Sequence, residues 1–263
     1  MNPKISVIIG VYNTPKNFVK KALDSILNQS YTNFEIIICN DGCTDDTFQY
    51  IQKKYGNNNR IVLIENKRNE GLAYTLNHCL EIAKGEYIAR MDTDDFSHPN
   101  RFEKQVDILD KNHDIGLVNC NIDVFDENGV YGERKYNEVI TKKDFLKNNP
   151  IVHPAVMFRK SEIKKVNGYR NIKMTIRNED YDLFMRMFAN GTKMYTVQEK
   201  LFNFRQDQNT YKRRKFKYRI NEAKVRYHGF KLLQLFPKGF IYVLKPILLG
   251  MIPVRIISKV KRG

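Results

Sequence analysis

The first ninety residues alternate between two periodicities, and that alternation constrains the fold more than any other feature. Residues 4–12 read KISVIIGVY, a continuous β-branched run bounded by Pro3 and by Asn13-Thr14-Pro15. Such a run suits a strand buried on both faces. Residues 18–29 then place Val19, Ala22, Leu23, Ile26 and Leu27 at helical spacing. FEIIICN at 34–40 repeats the buried-strand pattern and stops at Asp41-Gly42, and residues 44–55 suit a helix capped by Thr44 or Asp45. A third strand is expected at 60–65, a third helix at 71–83, and a fourth strand over 87–91 that stops at Asp92. This alternation predicts a parallel α/β sheet with helices on both faces. Ligands of such sheets sit beyond the carboxyl ends of the strands. Here those ends carry Tyr12-Asn13, Asn40-Asp41-Gly42 and Asp92-Thr93-Asp94-Asp95, so the suggestive polar residues converge on one edge.

Beyond Pro99 the pattern predicts a helix to about 112, a strand over 115–125, a turn at Asn128-Gly129 and a helix opening with Thr141-x-x-Asp144. A strand at 153–160, a helix at 178–189 and a short strand at 194–197 leading to 201–205 complete the body. A chain of 263 residues accommodates one large domain or two interleaved lobes. At 42% hydrophobic and 28% charged residues it is globular, not disordered. Cys39, Cys43, Cys79 and Cys120 show no C-x-x-C spacing and no histidine placed to complete a zinc site, which points to free thiols in a reducing compartment. The apolar run after Met1 is too short for a signal-peptide core, so the active site is expected to face the cytoplasm.

Three segments carry chemistry. Asp92, Asp94 and Asp95 crowd three carboxylates at a strand end, which is unfavourable unless something neutralises them. A hard divalent cation, Mg²⁺ or Mn²⁺, bridging to diphosphate oxygens would do so. A solvated acidic turn with Asp95 capping the next helix satisfies the same residues. Asp41-Gly42 suits a tight turn, and Asp41 suits acceptance of an N–H from a base. Asn178-Glu179-Asp180-Tyr181-Asp182 opens a helix, where the dipole favours acids; the same position suits a general base. His153 before Pro154 reads either as a hydrogen-bonded structural residue or as part of a site.

Taken in order, SVIIGVYN (6–13), NDGCTDDT (40–47), NEGLAYTLNHCL (69–80), AKGEYIARMDTDD (83–95), HPAVMFRK (153–160), GY (168–169) and EDYDLFMRM (179–187) resemble the family-2 glycosyltransferases. The resemblance spans residues 1–205. It implies a GT-A fold, a nucleoside-diphosphate sugar donor with uridine diphosphate the expected carrier, Mn²⁺ or Mg²⁺, and inversion at the anomeric carbon. The residues it implies at the donor nucleotide are Tyr12, Asn13, Asp41, Arg68, Gly71, Asp92, Thr93 and Arg205. Asp94 and Asp92 match the metal element, Asp180 matches the catalytic base, and His153 and Glu179 fall on the acceptor side. Cys43 stands where serine is usual and Phe204 where tyrosine is usual. The residues usual after the arginine are replaced by Gln206-Asp207-Gln208-Asn209-Thr210, with Lys212, Arg213 and Arg214 as substitutes for the diphosphate contacts. Residues 1–98 would form the nucleotide-sugar half and 99–210 the acceptor and catalytic-base half of one domain.

The net charge of +16 is concentrated in residues 211–263, which hold fifteen Lys and Arg against the single acid Glu222. The body is nearly neutral, so the tail asks for an anionic partner. Its longest charge-free stretch is the nine residues 246–254, far short of the ~20 needed to span a bilayer. Pro237, Pro246 and Pro253 are expected to break helices. The tail therefore reads as a basic amphipathic helical element lying on anionic lipid. That location suits a glycan or polyprenyl-diphosphate-linked acceptor of a bacterial surface polysaccharide, with the enzyme peripheral on the inner face of the membrane. A tail packed as a helical pair on the body is the competing arrangement. A nucleotidyltransferase would need a Gly-rich, Lys/Arg-bearing loop where Tyr12-Asn13-Thr14-Pro15 stands. A nucleic-acid-binding role has only the basic tail behind it, and no G-x-G-x-x-G supports a dehydrogenase.

Overall fold

A computed structural model describes residues 2–207 and 215–251. β1 (Ile5–Val11), α1 (Lys16–Leu27), β2 (Phe34–Asn40), α2 (Thr47–Tyr55), β3 (Ile61–Glu65), α3 (Leu72–Ile82) and β4 (Tyr87–Arg90) follow the expected alternation. β1 pairs in parallel with β2 and β4, and β2 with β3. Side-chain alternation explains why these strands are apolar at nearly every position. Ile5, Val7, Ile9 and Val11 pack with Val19, Leu23, Ile26 and Phe102 on one face. Ile8, Ile37 and Cys39 point the other way, among Leu76, Cys79 and Phe184. Each such buried aliphatic side chain contributes about 1.5–3 kcal/mol.

The second half comprises β5 (Phe96–Ser97), α4 (Arg101–Lys111), β6 (Ile115–Asp126), β7 (Gly129–Arg134), α5 (Asp144–Lys147), a 3₁₀ turn (His153–Ala155), β8 (Met157–Arg159), α6 (Lys160–Lys165), α7 (Glu179–Ala189) and β9 (Lys193–Arg205). Among the described residues the sheet order is β3-β2-β1-β4-β8-β6-β9-β5, with β7 paired to β6. β8 lies antiparallel to β4, and β5 antiparallel to β9. A parallel half thus continues into a mixed half without a break.

Four local expectations change. α2 begins at Thr47, because Asp45 accepts the Thr47 N–H at 3.0 Å and Asn13 ties down Thr44, keeping the preceding residues in a turn. The strand expected at 153–160 is split: Pro154 sits in the 3₁₀ turn, and ladder pairing is confined to Met157–Arg159. The two short stretches at 194–197 and 201–205 form one strand, β9, whose irregular register opposite Cys120–Ile122 absorbs the intervening polar residues. β7 is largely exposed and lacks an apolar alternation, so its sequence gives no strand signal.

The tail forms α8 (Phe216–Leu232) and α9 (Gly239–Gly250), and this pair packs on the body. Ala223, Val225, Phe230, Leu233, Leu235 and Val243 join the core layer of α3 and α7. The expected surface-lying tail is corrected to that extent: one side of the pair is core. Pro246 lies inside α9 and does not break it; the helix forgoes one N–H there. Lys212, Arg213, Arg214, Pro253 and the final basic residues lie outside the described residues.

Candidate active site

The carboxyl ends of β1, β2, β3 and β4 carry the polar residues to one edge, as the topology requires. At β2, Asp41 is only 5% exposed and heavily bonded. Its Oδ1 accepts from Asn66 Nδ2 at 2.9 Å and from the Glu70 N–H at 2.9 Å, and its Oδ2 accepts from the Gly71 N–H at 3.0 Å. An ionised carboxylate offers about four acceptor sites, so one further donor can be accommodated. Asp41 thereby fixes the loop that leads into α3. Gly42 follows at φ +70°, and a Cβ there would lie 2.6 Å from the Asn69 nitrogen, so only glycine permits this approach of the two loops.

Asn13 closes the same cradle from β1. Its Nδ2 donates to Thr44 Oγ1 at 2.9 Å and its Oδ1 accepts the Thr44 N–H at 2.9 Å. Thr93 shares a 2.9 Å hydrogen bond with Thr14, joining the β1 loop to the acidic turn. Tyr12 is exposed beside them, and Arg68 extends into solvent with Glu70 at 2.8 Å.

After β4, one carboxylate oxygen from each of Asp92, Asp94 and Asp95 falls within 4.8 Å of the others. Asp95 is 2% exposed; Oδ1 accepts the Arg205 N–H at 2.7 Å, while the buried Oδ2 has no hydrogen-bond partner. The β5–β9 ladder makes this contact by bringing the end of β9 alongside. Burial, then the neighbouring charges of Asp94 and Asp92, push the Asp95 carboxyl well above its usual range. A divalent cation fits such a set: hard oxygen donors, a local surplus of negative charge and one orphaned buried oxygen. The Arg205 guanidinium lies 3.8 Å from the Phe18 ring centroid and pairs with Asp207 at 2.7 Å.

Arg90, one turn of strand before Asp92, is 1% exposed and forms an ion pair with it, while its Nε has no hydrogen-bond partner. The sequence reading missed this residue; an arginine inside the apolar strand YIARM was the available signal. The Arg90 charge also reaches the first turn of α7, where it opposes the upward shift of Glu179 and Asp180. Burial and the Asp180 charge push Glu179 up to about 7. Burial raises Asp180, against bonds from the Tyr181 N–H and from Asn149 Nδ2 at 2.9 Å. Asp182, next on the helix, pairs with Arg186 at 2.7 Å and Arg170 at 3.3 Å and belongs to the scaffold.

His153 sits beneath this turn and is not on open surface. Its Nε2 and the Tyr169 hydroxyl are 2.7 Å apart, and its ring packs edge-on against Phe184. Burial, reinforced by Arg90, lowers its pKa well below the ordinary value and keeps the ring neutral. Burial raises the Tyr169 hydroxyl, and the charges of Arg90, Asp180, Glu179 and Asp92 all reach it, so it lies within electrostatic range of both acidic groups. Asn77 of α3 holds its backbone through a reciprocal pair of bonds at 2.8 and 2.9 Å.

Comparison with known proteins agrees with this geometry. Residues 6–167 match the family model described as Glycosyl transferase family 2. EpsE of Bacillus subtilis (strain 168), a protein assigned to the glycosyltransferases, is 41% identical over 98% of this chain and 92% of its own. The UDP-Gal:alpha-D-GlcNAc-diphosphoundecaprenol beta-1,3-galactosyltransferase of Escherichia coli is 32% identical over 91% of this chain and 88% of its own. Among solved structures, the mannosyltransferase PcManGT of Pyrobaculum calidifontis in complex with GDP-Man and Mn2+ aligns with a TM-score of 0.66 at 16% identity, covering 99% of this chain and 80% of that one. Fold and site define a glycosyltransferase built on the GT-A sheet. The chain belongs to glycosyl transferase family 2.

Proposed function

We propose that this enzyme is an inverting, metal-dependent hexosyltransferase or N-acetylhexosaminyltransferase of bacterial surface-polysaccharide synthesis. It takes its sugar from a uridine diphosphate donor and delivers it to a hydroxyl of a glycan or polyprenyl-diphosphate-linked glycan. The observation that carries the reading is that buried Arg90, ion-paired with Asp92 of the triad after β4, also sends its charge to the Glu179–Asp180 turn, so the two acidic groups lie within reach of one cation. The names of the relatives supply the donor and acceptor classes, since the galactosyltransferase carries UDP-Gal and a diphosphoundecaprenol acceptor in its name.

Asp94 and Asp92 would hold Mn²⁺ or Mg²⁺, with Asp95 behind them. The ion when bound would supply positive charge against the diphosphate. Asp41, Asn13, Tyr12, Thr93, Arg68 and Gly71 line the nucleoside side, and Arg205 the diphosphate side. The acceptor oxygen attacks the anomeric carbon as the bond to the diphosphate breaks, and that electron pair leaves with the nucleotide. Asp180 takes the hydroxyl proton. A carboxylate with a raised pKa is a better base than an ordinary one at neutral pH, and Asn149 holds its Oδ2 in place. Glu179 lies on the acceptor side, with His153 supporting Tyr169 below.

The expected site of action is the cytoplasmic face of the membrane. Among the described residues no helix is long and apolar enough to cross a bilayer. Phe240, Ile241, Leu244 and Leu248 nevertheless form one exposed face of α9, continued by Met251 just past its end, ranging from 42% for Leu244 to 75% for Ile241. An apolar face on a strongly cationic tail suits an anionic lipid surface.

A panel of UDP- and GDP-sugars with Mn²⁺, scored for donor hydrolysis and thermal protection, tests the transferase reading. Protection by none of them would sink it. Co-flotation with phosphatidylglycerol vesicles that is unchanged by the double variant Ile241→Glu, Leu248→Glu would sink the membrane reading.

A further inference from the structure

The C-terminal helices do more than cover the core. α8 crosses α7 at a tight contact: a Cβ on Gly229 would lie 2.2 Å from Met185 Sδ, so the glycine sets the approach. One turn earlier, Arg226 is 2% exposed. Its guanidinium pairs with Glu222 at 3.0 Å and donates to the carbonyls of Leu146 at 2.9 Å and Lys147 at 3.3 Å. Those carbonyls end the four-residue helix α5, where a helix leaves acceptors unpaired and favours a cation. Lys245 of α9 reaches the same place, donating to the Lys147 carbonyl at 2.9 Å and to Asn148 Oδ1 at 3.3 Å.

The next residue along is Asn149. Its Oδ1 accepts the Ile151 N–H at 3.3 Å, which fixes the orientation of the amide, and its Nδ2 donates to Asp180 Oδ2 at 2.9 Å. A second route runs in parallel. Arg226 lies 5.2 Å from the centroid of Tyr181, the residue after Asp180, and Tyr181 stacks on Phe145 at 6.3 Å and donates its hydroxyl to the Phe145 carbonyl.

We propose that the helical pair α8–α9 is a working part of the transfer site. Arg226 is its positioning residue, holding the 146–149 segment so that Asn149 presents its amide to Asp180. The proposal rests on the reading of Asp180 as the base. A guanidinium suits the task because its planar fork serves Glu222 and two carbonyls at once, which an ammonium cannot reproduce.

The test uses the full chain with Mn²⁺ and whichever of UDP-galactose, UDP-glucose, UDP-N-acetylglucosamine and GDP-mannose the wild type hydrolyses fastest. Arg226→Met and Asn149→Ala should each lower kcat at least tenfold and leave the Kd for UDP with Mn²⁺ within twofold. The double variant should be little worse than either single one, because both act through one contact. Arg226→Lys, which keeps a donor near the carbonyls, should recover part of the loss. If Arg226→Met does not fold, Lys245→Met in the wild-type and Asn149→Ala backgrounds carries the same cycle, with a two- to fivefold loss of kcat expected only when Asn149 is present. Unchanged kcat in the folded variants, fully multiplicative losses, or a parallel loss of UDP affinity would overturn the proposal. Asp180→Asn separates the two readings: full hydrolysis by that variant removes the base itself, whatever Arg226 does.

Discussion

The two edges proposed to take the nucleoside and to run the acid–base chemistry are built on opposite principles. Around Asp41 and Asn13 the polar atoms are matched: three donors on one carboxylate, a reciprocal amide contact with Thr44, and a glycine where two loops touch. Around Asp95 and Glu179 charge is crowded, an oxygen is orphaned and carboxyl pKa values are raised. The first edge is held in shape by the protein's own hydrogen bonds. The second holds electrostatic tension that an added cation or proton transfer relieves, which is the arrangement reactive centres require.

The largest expected effect falls on the tense edge. Asp180→Asn should lower transfer by about 10³-fold, within the usual range for losing a general base, with UDP binding unchanged by calorimetry; equal losses in both would break the division. Asp94→Ala should weaken Mn²⁺-dependent UDP affinity at least about tenfold, since even outer-shell partners of a metal are worth 10–100-fold. The same titration without Mn²⁺ should show no difference from wild type. On the matched edge, Asp41→Asn replaces one acceptor oxygen with a donor facing an N–H group and should cost about 1–3 kcal/mol of stability, read by denaturant unfolding. An undiminished stability would mean that the cradle is shaped by its ligand after all.

The smallest effect sharpens the contrast through pH. Glu179 is shifted from 4.5 up to about 7, so the folded state binds its proton more tightly than the unfolded chain does. Stability therefore falls as pH rises through that window, and the cost is fully present above it. Glu179→Gln should stabilise the protein at pH 8 by on the order of 1 kcal/mol, after allowance for its partial exposure, and have no effect at pH 4. Thermal unfolding at the two pH values measures it.

Most of the parallel half of the sheet was legible because its information is local. Continuous apolar runs marked β1 to β4, helical spacing marked α1 to α3, and the strands ended at polar clusters, so the edge carrying Asp41 and Asp92 followed from topology alone. The bonding of Asp41 was not legible, because its partners Asn66, Glu70 and Gly71 lie 25 to 30 residues away. Asn149 and Arg226 were invisible for a similar reason. Each sits in an ordinary polar stretch, and its importance comes from contacts 31 and 80 residues distant. The tail was half legible: its charge and apolar face stood out, but the core side of α8 did not, because α8's apolar residues lack a clean helical stripe.

The interleaving of the sheet bears on how the gene can be rearranged. β8 lies beside β4, and β5 is locked to β9, so the two stretches that meet near residue 98 share one continuous backbone ladder. Severing the chain at that point would leave each fragment with a raw, adhesive strand edge. Fragments expressed separately would have to find each other or aggregate, and recovery of transferase activity from such a pair would report on reassembly of the ladder itself.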